Sequence, residues 1–253
     1  MSYPVFTVPI EGVSLATCLQ MVREATSPQW IVTANPENLL EARKDVSYAK
    51  VLQQADVRTV DGFGLWACLR LVGNQTQRVT GVTLAEALLD EAQRHGYRVG
   101  FFGGEAGEAE EAMKRLQQSG RYPTVSFCVE AGGRVDRDGK DDDPSASSGQ
   151  GEEARYRMTM FDPQIVFVAL SFPGQERWIQ EHMGEFPSLR AIVGIGGTFN
   201  FWSGAIKRAP GWMRSVGLEW LWRLMQEPRR IGRIFRAVIV FPVVFLADRL
   251  TNK

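Results

Sequence analysis

The sequence predicts an α/β protein: a three-layer, Rossmann-like, mainly parallel sheet followed by a helical, membrane-associating C-terminal appendage. Three observations carry this. Short apolar runs alternate with amphipathic helical patterns over residues 1–204, the order that produces a parallel sheet covered on both faces. One polar stretch, residues 132–155, interrupts that order. Residues 207–253 hold ten Lys or Arg against three acids, a net charge of +7, in a chain whose 29 basic and 29 acidic residues balance. The remainder therefore carries −7, and a neutral total conceals a polarised molecule. Two units follow: a core over 1–204 and an appendage over 205–253.

The elements read as follows. Residues 30–33 form a strand, and Asn35 caps a helix begun by Pro36. Residues 57–60 form a short strand and 63–72 a helix. Leu84, Leu88 and Ala92 make one stripe of a helix over 83–95. Strand 97–102, helix 105–118 and strand 124–129 come next. Strand 165–170, helix 175–183 and strand 191–195 complete the alternation. Residues 132–155 have no aromatic and almost no aliphatic side chain, too little to offset ordering entropy, and are expected to be a disordered loop. Asp136-Arg-Asp138 within it has the form of a metal-holding acidic pair. Such a pair needs a rigid element, so no metal is assigned.

Composition narrows the class. A hydrophobic content of 44% with 23% charged residues is ordinary for a soluble globular protein. Cys18, Cys68 and Cys128 lack C-x-x-C spacing, which argues against a disulfide framework or a zinc site and fits a reducing compartment. His95 and His182 read as partly exposed helix-face residues. The N-terminal residues lack the basic and apolar regions of a secretory signal. The longest apolar run, 237–247, has eleven residues and contains Pro242, whereas a spanning helix needs about twenty. The basic end also carries Trp212, Trp220 and Trp222, a composition suited to an anionic lipid surface. The expectation is a cytoplasmic protein lying on the inner face of the cell membrane, with no nucleic-acid partner.

In an open parallel sheet, ligands bind beyond the carboxyl ends of the strands. Those ends hold Thr33 and Asn35, Asp61, Gly103 and Gly104, Gln175, and Gly196 and Gly197. Glycine turns let a phosphate approach the backbone. Bland alternatives stand beside each: Asp61 as a helix cap, Thr33 as a local hydrogen-bonder, Gly103-Gly104 as a tight turn. Gly194-Ile-Gly196-Gly197 lacks the third glycine of a dinucleotide fingerprint, which counts against a nucleotide-cofactor oxidoreductase. That enzyme and a non-catalytic membrane scaffold are the alternatives.

The motifs Thr33-Ala-Asn-Pro-Glu-Asn-Leu, Thr59-Val-Asp-Gly-Phe-Gly, Arg78-Val-Thr-Gly, Pro173-Gly-Gln-Glu-Arg-Trp, Gly194-Ile-Gly-Gly-Thr-Phe, Lys207-Arg-Ala-Pro-Gly-Trp-Met, Gly217-Leu-Glu-Trp-Leu-Trp-Arg-Leu and Glu227-Pro-Arg-Arg occur in this order. Together they resemble the bacterial TagA/WecG/CpsF glycosyltransferases. The resemblance covers almost the whole chain apart from 132–155 and the last dozen residues. It implies an inverting, metal-independent transfer, without cofactor, of a hexose of the N-acetylmannosamine type from a UDP-sugar to a polyprenyl-diphosphate-linked sugar, in cell-surface polysaccharide synthesis. It implies Asp61 as general base, with Thr33, Asn35, Gln175 and Arg78 in the pocket and Asn200 near the nucleoside. It also implies that Arg223, Arg230 and Arg233 of a membrane-targeting tail close over the site. Two departures stand out: Asn200 where the family commonly has Asp, and Gly174 where it usually has Lys. Whether the chain is a monomer or a homo-oligomer is left open.

The chemistry explains the division of labour expected in the tail. A core of net −7 is a poor source of cations for a leaving diphosphate, so the three arginines are expected to serve it. Leu218, Leu221, Trp222 and Met225 form a stripe expected to pack on the core. The apolar run from Val238 is expected to meet the bilayer.

Overall fold

A computed structural model describes residues 3–141 and 150–251. A hairpin of β1 (Tyr3–Val5) and β2 (Val8–Ile10) precedes α1 (Leu15–Glu24). Then follow β3 (Gln29–Ala34), α2 (Pro36–Lys44), α3 (Val46–Gln53), β4 (Val57–Val60), α4 (Phe63–Leu71), α5 (Gly81–His95), β5 (Val99–Gly103), α6 (Glu108–Gln118) and β6 (Phe127–Glu130). After these come α7 (Gln150–Phe161), β7 (Ile165–Ala169), α8 (Gly174–His182), β8 (Ala191–Gly194) and α9 (Thr198–Trp202). The C-terminal part holds α10 (Gly211–Ser215), α11 (Glu219–Gln226), a 3₁₀ turn (Pro228–Arg230), α12 (Ile231–Phe235), a π turn (Arg236–Val240) and α13 (Phe241–Thr251).

Strands β3 to β8 form one parallel sheet in the order β4-β3-β8-β7-β5-β6. Its strands are apolar on both sides, and alternate residues enter two cores. Trp30, Val32, Val166, Val168 and Ile192 join the side chains of α2, α3, α4 and α8 on one face. Ile31, Phe101, Phe167 and Val193 join those of α1, α5, α6 and α9 on the other. The fold class expected from the alternation is thus the one observed. The helices after β3 and β8 leave toward opposite faces, so a crevice opens between those two strand ends.

Several local expectations change. The polar stretch after β6 is structured in part: Val135 is buried, bridges to Asp141 and packs with the core of α8. Helix α7 begins at Gln150, inside the expected loop, and buries Ala154 and Met158. The remainder of that stretch, 142–149, lies outside the described residues. The tail's apolar run is divided rather than devoted to one surface. Phe241 and Phe245, one turn apart, are buried against the core, while Ile239, Val243 and Leu246 are exposed. Gly64 makes this docking close: a Cβ there would lie 2.3 Å from the carbonyl oxygen of Ala237. The stripe expected on α11 is only half-buried, and its Met225 is exposed. Trp220 and Arg223, three residues apart and also half-buried, line a cavity beside Asp61. Among the described residues no helix is long and apolar enough to cross a membrane.

Candidate active site

A cleft of about 1200 Å³ lies at the carboxyl edge of the sheet, floored by the ends of β3, β4, β7 and β8. Thr33, Asn35, Asp61, Gly104, Gln175, Gly196 and Gly197 line it, and the C-terminal part contributes Arg223, Arg230 and Arg233. Residues far apart in sequence are therefore brought together as the strand-end argument requires. Arg78 is placed differently: it lines an adjoining cavity of about 230 Å³, which shares Asp61 and Arg223 with the cleft. Gly103 and Asn200 line neither. Gly103 closes β5 against β7, where a Cβ would stand 2.7 Å from the carbonyl oxygen of Ala169. Asn200 uses its carbonyl to bind the Ile206 N–H at 3.0 Å within the turn after α9.

Asp61 continues the ladder of β4, its N–H donating to the Ala34 carbonyl at 2.8 Å. Its Oδ1 accepts the Gly62 N–H at 2.5 Å and its Oδ2 the Gly81 N–H at 3.1 Å. The helix-cap alternative does not describe this residue, because Gly62 occupies the cap of α4 and Asp61 reaches across to α5. Burial pushes the carboxyl pKa up; the two N–H bonds oppose the rise, and the nearby Glu219 adds to it. A carboxylate so placed is a stronger base than a solvated one.

Asn35 binds the N–H groups of Glu37 and Asn38 at 2.9 and 3.1 Å, so it caps α2 as the sequence predicts while also facing the cleft. The Thr33 hydroxyl donates to the Gly194 carbonyl at 3.4 Å, tying β3 to β8 beside it. Gln175 is buried; its Oε1 accepts the Leu170 N–H at 3.2 Å and its Nε2 donates to Glu176 at 3.0 Å. A Cβ at Gly194 would fall 2.3 Å from that Nε2, which is why β8 ends in glycine. The buried Glu176 also accepts from the Tyr48 hydroxyl at 3.0 Å and the Asn38 amide at 3.5 Å. Burial raises its pKa, and these hydrogen bonds hold it back.

Each arginine is held by a carboxylate. Arg223 and Arg230 donate from Nε to opposite oxygens of Glu227, at 2.9 and 2.6 Å. Arg233 makes a two-pronged contact with Glu37 of α2, at 2.7 and 2.6 Å. Both modes leave further N–H groups for a ligand. The Arg223 guanidinium also lies 5.1 Å over the Phe201 ring. Its Nη2 is buried with no hydrogen-bond partner among the described residues and abuts Gly197, where a Cβ would be 2.5 Å away. Glu37, Asn38, Glu176 and Glu227 were not among the site residues expected from sequence. Glu37 and Glu227 lie within the recurring motifs, but an acid in a first helical turn or before a proline has ordinary local uses. Asp136, by contrast, is used locally: its Oδ1 accepts the N–H groups of Asp138 and Lys140 at 2.8 and 2.9 Å, shaping the turn.

A buried carboxyl at a strand end, sharing one cleft with three arginines, fits enzymes that transfer groups from activated phosphate esters. The chain belongs to the glycosyltransferase WecG/TagA/CpsF family, whose family model matches residues 3–253. It is 33% identical, over 97% of its length and 95% of theirs, to the N-acetylglucosaminyldiphosphoundecaprenol N-acetyl-beta-D-mannosaminyltransferases of Staphylococcus aureus strains MRSA252 and MW2. The same identity and coverage relate it to the protein of that name in strain NCTC 8325 / PS 47. It is a glycosyltransferase, and the oxidoreductase and scaffold alternatives are set aside.

Proposed function

We propose that this enzyme moves an N-acetylmannosamine-type hexose from a UDP-sugar to a polyprenyl-diphosphate-linked N-acetylglucosamine, with inversion, during synthesis of a cell-surface polymer. The observation that carries this reading is one cleft shared by Asp61 and the three arginines of the C-terminal part. An acceptor hydroxyl attacks the anomeric carbon as the bond to the diphosphate breaks, and the electron pair leaves with UDP. Asp61 takes the hydroxyl proton, help worth roughly 10²–10⁴-fold. Arg223, Arg230 and Arg233 meet the charge that builds on the diphosphate, with Thr33, Asn35 and Gln175 around the donor sugar. The named relatives, which carry both sugars and the lipid diphosphate in their names, support the choice of substrates.

The enzyme works at the cytoplasmic membrane surface in this reading. Ile231, Phe235, Ile239, Val243, Leu246 and Leu250 recur every three or four residues along α12 to α13 and are 43% to 77% exposed, an apolar line suited to shallow lipid contact. Purified protein given UDP-N-acetylmannosamine and a short-chain lipid-diphosphate N-acetylglucosamine is expected to release UDP. Asp61→Ala is expected to remain folded and lose nearly all turnover. Wild-type turnover in that variant would remove Asp61 from the mechanism.

A further inference from the structure

The adjoining cavity of about 230 Å³ has walls from α4, the start of α5 and the segment 217–220, and it meets the main cleft at Asp61, Ile195, Gly197 and Arg223. We infer that it is the acceptor-sugar site, taking the terminal hexose of the lipid-linked diphosphate beside Asp61 while the nucleotide sugar occupies the larger cleft; this rests on the transferase reading above.

Size and lining both point there. The cavity is below the roughly 300–1,000 Å³ of sites for drug-sized ligands, so it has room for one sugar ring and not for a nucleotide sugar. Phe63 and Trp220 supply aromatic surface for the apolar face of a pyranose, and Asp61, Thr80 and Glu219 supply partners for its hydroxyls. Arg78 supplies the cation. Its Nη2 donates to the Arg214 carbonyl at 2.8 Å, and it makes no ion pair with a carboxylate among the described residues. A sugar attached to a diphosphate therefore finds both ring surface and charge in one place.

Position gives the strongest argument. An in-line displacement brings nucleophile and leaving group to opposite sides of one carbon, with the base on the nucleophile's side. Two cavities that meet at a single carboxylate provide those two sides. The smaller one is also bordered by Gly217, next to the exposed Val216. Gly217 itself has φ +79°, and a Cβ would lie 2.1 Å from the Phe63 ring.

The test is a two-substrate kinetic analysis of Trp220→Leu, which keeps apolar bulk on α11 and removes the flat ring, alongside Arg78→Gln. Each is expected to raise the KM for the lipid-diphosphate N-acetylglucosamine, by about tenfold for Trp220→Leu. The donor KM and the affinity for UDP are expected to stay at wild-type values, which also shows that the variants keep their donor cleft. An unchanged acceptor KM in both variants would overturn the assignment. So would a rise in donor KM or a loss of UDP affinity, which would place the nucleotide in this cavity. Wild-type turnover in the same assay reports separately on the transferase reading.

Discussion

The Asp61 carboxyl accepts two backbone hydrogen bonds and makes no ion pair among the described residues, so burial governs its proton. Because its folded pKa is raised, the acid limb of the kcat/KM profile is expected above the ordinary aspartate range, and Asp61→Glu should move it. The sign for stability is opposite to that of a salt-bridged carboxylate. Between the unfolded and folded pKa values the native state binds more protons, so stability falls as pH rises through this window. Asp61→Asn, whose amide nitrogen would face one of the two backbone N–H donors, is therefore expected to abolish turnover and to flatten the pH dependence of Tm across this window in thermal melts. Arg223 is the counterpart of Asp61 in the proposed mechanism. Its unpartnered Nη2 lies against Gly197 inside the cleft, and Arg223→Ala is expected to lower kcat by roughly 10²–10³-fold, measured by UDP release. Asp61 could be singled out in the sequence because it sits at a strand end, whereas Arg223, on α11, was pointed to only by the family resemblance. Glu37 and Glu227 were not singled out: Glu37 meets Arg233 from 196 positions away, and only the folded chain shows that contact.

At the scale of elements, the hairpin over 132–141 and the start of α8 are fitted to each other. A Cβ at Gly174 would stand 1.9 Å from the Asp136 carbonyl oxygen and 2.9 Å from a Val135 methyl. That approach leaves no room for a side chain at 174, so the hairpin requires the glycine. Gly174→Ala is expected to displace the hairpin and lower stability by about 1–3 kcal/mol in denaturant unfolding. This also shows why a stretch so poor in apolar residues was misread. One buried valine, a turn organised by Asp136 and an ion pair from Arg137 to Glu41 order residues that composition alone assigns to a loop. The short hairpin β1–β2 and helix α3 were not legible for a related reason, since brief elements carry too little periodicity to read, and the ten-residue α1 was not read either. The long alternating strands and helices of the sheet were plain.

The whole molecule joins an acidic catalytic body to a basic, partly apolar end. The charge segregation was readable by counting, but its use was not. Arg233 is held by Glu37 and Phe241 and Phe245 by the core, so part of the tail packs on the catalytic body and another part faces outward. Binding to anionic vesicles is expected to fall steeply as salt rises, in a sedimentation assay. Ile239→Glu is expected to weaken it further while leaving turnover on a short-chain soluble acceptor unchanged. A π turn at Arg236–Val240 joins the two helices that carry these faces. Its wider winding sets the phase between α12 and α13. Deleting one residue there would restore even winding and rotate α13 by about 100°. The phenylalanine pair would swing off α4 and the outer line toward it. One surplus residue thus sets which side of the tail packs on the core and which side faces outward.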